Sequence, residues 1–337
     1  MTRTAPKLLL QSPPFLRRGL TIPKLMLDVL IGLVPVVLAS VWFFGLSAIL
    51  VLVSATAGAL LTEWAVTAKR KGRSPLFDYS AALTGVILAL TLPPGVPLWI
   101  AFLGGIVAIG LGKAVFGGLG QNLFNPALVG RAFLQASFPT VLTTWSARAG
   151  ILEIRPSNLA LPFMHADAVT TATPLGAMKF AGEHTPLLDL LFGNVNGSLG
   201  ETSALVIILC GLVLALRRTF DWRLPVSTLL SVFVLSGVLW LVNSDKYPSP
   251  LFMLLSGGLL FGAVYMVTDP VTSPITPRGA WIFGIGVGVL VVLIRLFGGL
   301  PEGVMYAILL MNAATPLIER MDQPRPLGRT WKGAPNP

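Results

Sequence analysis

The sequence predicts an all-α polytopic membrane protein of about ten transmembrane helices, arranged as a five-plus-five inverted repeat. Three observations carry this expectation. Of the 337 residues, 54% are hydrophobic and 11% charged, with a mean hydropathy of +0.79, whereas a soluble domain carries about 25% charged residues. Ten stretches approach the length of about 20 apolar residues that a helix needs to cross hydrocarbon. Two short words recur at corresponding places in the two halves of the chain.

Residues 1–23 hold Arg3, Lys7, Arg17 and Arg18 without a continuous apolar core. They read as a cytoplasmic arm rather than a cleaved signal peptide. The first membrane repeat, 24–138, places spans at 24–45, 47–67, 78–94, 97–115 and 123–138, of which the third and fifth are short and carry polar residues. Residues 139–200 form the one long connection. The second repeat, 201–319, places spans at 201–217, 224–243, 250–267, 279–297 and 302–319. Residues 320–337 hold prolines, glycines and arginines and read as a disordered cytoplasmic tail.

Ser74-Pro75-Leu76-Phe77 precedes span three, and Ser249-Pro250-Leu251-Phe252 opens span eight. Phe116-Gly117-Gly118-Leu119 closes span four, and Phe297-Gly298-Gly299-Leu300 closes span nine; Lys113 and Arg295 shortly precede these glycine pairs. Duplication explains both words in one order at similar spacing. Each half holds an odd number of spans, so the second half enters the membrane inverted, and binding sites in such folds lie near the interface of the halves. The Gly-Gly and Pro-bearing words at span ends suggest half-helices or re-entrant segments, whose backbone groups need partners inside the protein.

The net charge of +10 does not point to nucleic acid, because the basic residues sit in short clusters between apolar spans. Lys69, Arg70, Lys71 and Arg73 follow span two; Arg217, Arg218 and Arg223 follow span six; Arg320, Arg325, Arg329 and Lys332 follow span ten. With both termini cytoplasmic, all three clusters fall on the cytoplasmic side, as the positive-inside rule requires. The 139–200 loop then faces the periplasm or exterior. Cys210 is the only cysteine, so this chain alone holds neither a disulfide nor an iron–sulfur cluster. His165 and His184 share one loop, which excludes paired intramembrane haem ligation. Any electrons carried here need an organic cofactor.

The loop contains Asp167-Ala168-Val169-Thr170-Thr171-Ala172-Thr173. This pattern resembles the site at which a flavin transferase joins FMN phosphate to a threonine hydroxyl as a phosphodiester. Thr173 is the acceptor on that reading, and Pro174 biases it toward extended backbone. The bland reading is a pair of loop threonines making side-chain turns.

Four further stretches carry a wider likeness: Asp78-Tyr79-Ser80-Ala81-Ala82-Leu83-Thr84-Gly85, running on to Leu92-Pro93-Pro94; Gly120-Gln121-Asn122-Leu123-Phe124-Asn125-Pro126-Ala127; Gly197-Ser198-Leu199-Gly200-Glu201-Thr202-Ser203-Ala204-Leu205; and Tyr306-Ala307-Ile308-Leu309-Leu310-Met311-Asn312-Ala313. With the heptad, they make the chain resemble the D subunit of Rnf-type ion-translocating oxidoreductase complexes, a family shared with the B subunit of sodium-translocating NADH:quinone reductase. The resemblance implies electron transfer between ferredoxin and NAD coupled to sodium or proton movement. It implies FMN bound covalently at Thr173, with Asp167, Thr170, Thr171 and Ala172 as the attachment motif, and a non-covalent riboflavin within the bundle. Implied partners are the other membrane, iron–sulfur and flavin subunits, the flavin transferase and the lipid of a bacterial inner membrane. The family's acceptor word has glycine where Thr171 stands, which leaves Thr170 or Thr171 as alternative acceptors.

Asp28, Glu63, Lys113, Arg131, Glu201, Asp269, Arg295 and Glu302 lie in or at the margins of spans. Ionisable groups in hydrocarbon are costly and default to functional candidates, although snorkelling accounts for those near span ends. Arg131, beyond Asn125 and Pro126, either pairs with a flavin phosphate or dicarbonyl edge or packs on carbonyls of a broken helix. Glu201, Thr202 and Ser203 either cap span six or contact flavin or an ion. Trp145 and Trp222 suit interfacial anchoring, and Leu187 to Phe192 is an apolar run too short to span. The competing functions are the quinone-reductase B subunit, with a different set of partners, and a small-solute channel of the same architecture.

Overall fold

The computed structural model describes residues 21–68, 75–146, 148, 150, 152–162, 170–183, 185–244 and 246–322. Most of the expected N-terminal arm and C-terminal tail, the basic cluster 69–73 and Asp167 lie outside the described residues. In chain order the helices are α1 (Ile22–Phe44), α2 (Leu46–Thr67), α3 (Ser80–Thr91), α4 (Leu98–Ile109, prolonged by a π turn over Gly110–Ala114), α5 (Pro126–Ser137), α6 (Pro139–Thr143) and α7 (Pro174–Gly176, prolonged by a π turn over Ala177–Ala181). They continue with α8 (Leu187–Phe192), α9 (Ala204–Leu216), α10 (Arg223–Val242), α11 (Pro250–Leu255), α12 (Leu259–Phe261, prolonged by a π turn over Gly262–Met266), α13 (Pro277–Phe297) and α14 (Val304–Met321). No strand occurs among the described residues. The protein is an all-α polytopic membrane protein.

Helices α1, α2, α10 and α13 are each long and apolar enough to cross a bilayer alone, whereas α3, α4 and α9 are shorter apolar helices. Leu38, Val53, Leu212 and Leu241 project outward with more than half their surface exposed. Such side chains would form aggregation-prone patches in water and are at ease against lipid. Inside, one buried apolar cluster runs through both halves, from Leu33 of α1 to Ile308 of α14.

The halves are built alike. In the first, α2 packs on α4 and α4 on α5; in the second, α10 packs on α13 and α13 on α14. Small residues set both crossings. A Cβ on Gly58 would collide with the Phe102 carbonyl, and one on Gly105 with the Ala55 carbonyl. In the second half, Gly284 and Gly288 receive Ser227 and Ser231 of α10. Without a hydrophobic force between helices in lipid, close backbone approach supplies the packing. Between halves, α1 meets α9 and α5 meets α14. The α1–α2 hairpin turns on Gly45, whose φ of +69° suits a residue without Cβ.

Several expected boundaries change. Span eight is not one helix: α11 ends at Leu255, Ser256 is extended and Gly257 has φ +65°, before the chain turns into α12. Two charged groups stabilise this break in mid-span. Arg295 donates to the Met253 and Ser256 carbonyls at 2.6 and 3.0 Å, satisfying the end of α11. Glu302 accepts the Gly258 N–H at 2.6 Å, at the start of α12. The loose backbone groups of a broken helix need such internal partners. Span six starts at Ala204 rather than residue 201, because Ser203 caps α9 through the Val206 N–H. Span three shortens to Ser80–Thr91, and its last carbonyls, Leu90 and Leu92, accept the Gly200 and Leu199 N–H groups of the incoming loop.

A buried charge pair lies in the first half. The Lys113 ammonium, on the π turn after α4, meets Glu63 of α2 at 2.9 Å and the Ser80 hydroxyl of α3 at 2.8 Å. Ser80 in turn donates to Asp78 at 2.6 Å. Three helices are tied by one ammonium.

Candidate functional site

The 139–200 connection docks on one end of the bundle. Arg155 donates its N–H to Ser47 at 2.9 Å and lies over the Phe44 ring. Asn158 donates to the Pro94 and Val96 carbonyls at 2.9 and 2.8 Å. Arg148 lies over Phe43 and donates to the Gly193 carbonyl and to Asn194. Lys179 donates to the carbonyls of Arg295, Gly298 and Leu300 at 2.9, 2.5 and 2.9 Å, closing the end of α13. Partial burial pulls the Lys179 pKa below its ordinary value. The loop is thus fastened at the α1–α2, α3–α4 and α13–α14 turns.

Within that frame the three threonines differ. Trp145 clamps the first two: its N–H donates to the Thr170 hydroxyl at 3.2 Å, and its carbonyl accepts the Thr171 N–H at 2.7 Å and the Thr171 hydroxyl at 2.8 Å. The Thr173 hydroxyl only accepts, from the Gly176 N–H at 3.1 Å. Thr173 has extended backbone, φ −79° and ψ 157°, and Pro174 opens the short helix α7 after it, a position where its missing N–H costs nothing. Ala172 is exposed beside it. The Thr171 hydroxyl is therefore spent on a carbonyl, whereas the Thr170 and Thr173 hydroxyls only accept, and of these two Thr173 is the one that borders a cavity.

Thr173 borders a cavity with Trp145, Glu201, Thr202, Pro301 and Glu302. A second cavity shares Trp145, Glu201, Pro301 and Glu302 and runs inward between the halves to Arg131, Phe261 and Tyr306. Arg131, on α5, is 8% exposed and sits 3.7 Å from Glu302. Its Nη1 is buried without a hydrogen-bond partner. Leaving a buried charged donor unsatisfied costs upward of about 1–3 kcal/mol, so this wall is built to receive an acceptor.

Three of the four further candidates from the sequence, Arg131, Glu201 and Thr202, are brought to the cavities that Thr173 borders or leads into. Asn125 is not. It caps α5 through the Ala127 N–H at 3.0 Å, reaches the Met266 carbonyl at 3.5 Å, and lines a different cavity with Lys113, Asn122 and Asp269. Glu201 and Thr202 do not cap α9, since that role belongs to Ser203. Trp145 is not simply an interfacial anchor but the clamp of the attachment loop. Sequence reasoning misses Gly257 and Gly258, for which Ser-Gly-Gly in the middle of an apolar span is the available signal.

The family model described as the NQR2, RnfD, RnfE family matches residues 9–328. The chain is 39% identical over 330 residues to the D subunit of the proton-translocating ferredoxin:NAD(+) oxidoreductase complex of Clostridium ljungdahlii, covering 95% of this chain and 96% of that one. It is 39% identical over 328 residues to the D subunit of the Na(+)-translocating ferredoxin:NAD(+) oxidoreductase complex of Acetobacterium woodii, covering 96% of each. It is 41% identical over 339 residues to the D subunit of the ion-translocating oxidoreductase complex of Stutzerimonas stutzeri, covering 94% of each.

Proposed function

The chain belongs to the NQR2, RnfD, RnfE family, and from that premise we propose that it is the flavin-carrying D subunit of an ion-translocating ferredoxin:NAD oxidoreductase complex. Relatives matched over nearly their full length carry that complex's name. The observation that carries the flavin part is the Thr173 hydroxyl, committed to no acceptor and bordering the cavity that leads to Arg131. A flavin bound there supplies a ring that accepts and releases electrons.

The chain's own residues account for the rest. Thr173 provides the hydroxyl for the phosphodiester, and Trp145 holds the preceding threonines so that the acceptor is presented at a fixed place. The unpartnered Nη1 of Arg131 offers a donor to a carbonyl of the ring, in the planar geometry that guanidinium suits. Trp145, Phe261 and Tyr306 give the cavity aromatic walls. Covalent attachment on the outer face prevents loss of a freely dissociating cofactor. Helix α9 starts beside the loop and carries Arg217 at its far end, next to Asp28 at the start of α1. The basic cluster Arg217, Arg218 and Arg223 therefore lies away from the loop, which supports cytoplasmic termini and an exported attachment site. The other complex subunits and a flavin transferase are the partners on this reading, in the bacterial inner membrane.

Membranes from a strain lacking this chain are expected to lose NAD reduction driven by reduced ferredoxin, and to regain it when the chain is supplied in trans. Undiminished activity without the chain would contradict the assignment.

A further inference from the structure

Glu201 and Glu302 come from segments a hundred residues apart in sequence, yet they meet at the break between α11 and α12. Their Oε1 atoms lie 2.7 and 2.6 Å from one point, the place a Cβ on Gly258 would occupy. A side chain at 258 would displace both carboxyls, of which Glu302 accepts the Gly258 N–H at 2.6 Å. Both also line the cavity of Thr173 and the cavity of Arg131. The unpartnered Nη1 of Arg131, nine-tenths buried in the same wall, independently marks the place as a ligand site.

We propose that Glu201 and Glu302 act as one carboxyl pair that holds a single proton and surrenders it when the flavin ring tethered at Thr173 is reduced. The proposal rests on the flavin reading above and adds a proton donor to it. The charged and titratable groups that face the pair come from three elements and the loop. Arg131 of α5 faces it at 3.7 Å from Glu302. Arg295 of α13 is close, but its Nη1 and Nη2 are committed to the Met253 and Ser256 carbonyls. Lys179 of the loop is committed to three carbonyls at the end of α13. Tyr306 of α14 is the other titratable side chain in the wall. Arg131 is the cation that ion-pairs with the site, through Glu302, and two carboxylates converging on one point do not both ionise readily.

Two electrons enter the ring from one-electron iron–sulfur donors of low potential. One carboxyl O–H bond breaks and one N–H bond forms on the ring. The ring is left with one negative charge and the pair gains a second, so the two charges added equal the two electrons admitted. Arg131 then faces both the ionised pair and the charged ring. Glu201 and Glu302 are in this sense the proton store of the site, and Gly258 is the positioning residue that lets them share it.

The test is redox-difference infrared spectroscopy on the purified, flavin-loaded complex. A protonated-carboxyl C=O band is expected in the oxidised state and lost on reduction. Glu201→Gln, which keeps the shape of the side chain, and Glu302→Gln are each expected to abolish that difference while the flavin stays attached. The midpoint potential of the flavin gives a second readout. Because the proton moves from pair to ring within the site, the wild-type potential is expected to be flat near neutral pH, whereas in Glu201→Gln the ring takes its proton from solvent and the potential shifts by about 30 mV for each tenfold change in proton activity. A difference band and a pH dependence unchanged in both variants would overturn the pair. A wild-type chain without covalent flavin would instead overturn the reading on which the pair rests.

Discussion

Thr173→Ala is expected to remove covalent flavin completely and to reduce ferredoxin-driven NAD reduction by the complex to background. The acceptor oxygen is gone, and neither neighbour replaces it: the Thr171 hydroxyl is spent on the Trp145 carbonyl, and Thr170, held by the Trp145 N–H, does not line the cavity that Thr173 borders. The fold should survive, since the lost cap on Gly176 is worth only about 1 kcal/mol. Thr173→Ser keeps both the hydroxyl and the cap, and is expected to retain flavin. Thr171→Val is expected to retain it as well, with a looser loop. Flavin fluorescence of the chain after denaturing electrophoresis checks all three. A fluorescent Thr173→Ala band of wild-type intensity would show that the acceptor is elsewhere.

Lys113→Met carries the largest expected effect on stability. It leaves Glu63 buried with its ammonium partner gone and strips Ser80 of its bond to the same ammonium. Removing one member of a buried ion pair costs about 3–5 kcal/mol, which is a large share of the stability of any domain. The double variant Glu63→Gln, Lys113→Met removes both charges and is expected to recover most of that loss. Thermal unfolding in detergent, followed by static light scattering or fluorescence, gives the comparison. A single variant melting with wild type would mean that the pair is solvated or contributes nothing.

The long helices were legible because their signal is local. Predominantly apolar stretches of about twenty residues, as in α1 or α13, announce themselves whatever they pack against. The repeated words also located the like-built halves. The break in span eight was not legible, because hydropathy averages over Ser256, Gly257 and Gly258 and the groups that stabilise the break, Arg295 and Glu302, lie about forty residues downstream. The same distance problem hid the attachment frame. Thr173 could be read from its own heptad, but Trp145, which separates it from Thr170 and Thr171, sits 25 residues upstream of Thr170 and meets it only in three dimensions. Glu201, Thr202 and Ser203 are alike in sequence as cap candidates ahead of an apolar run, and only the structure assigns the cap to Ser203 and the cavity walls to Glu201 and Thr202. Asn125 resembled its neighbour Arg131 in sequence, yet the two look into different cavities.

Peptide mapping by mass spectrometry of the chain isolated from its own membrane tests the central claim most directly. One FMN joined through phosphate to the Thr173 hydroxyl is the predicted result, with Thr170 and Thr171 unmodified. An unmodified Thr173 peptide from cells with an active flavin transferase would contradict the account.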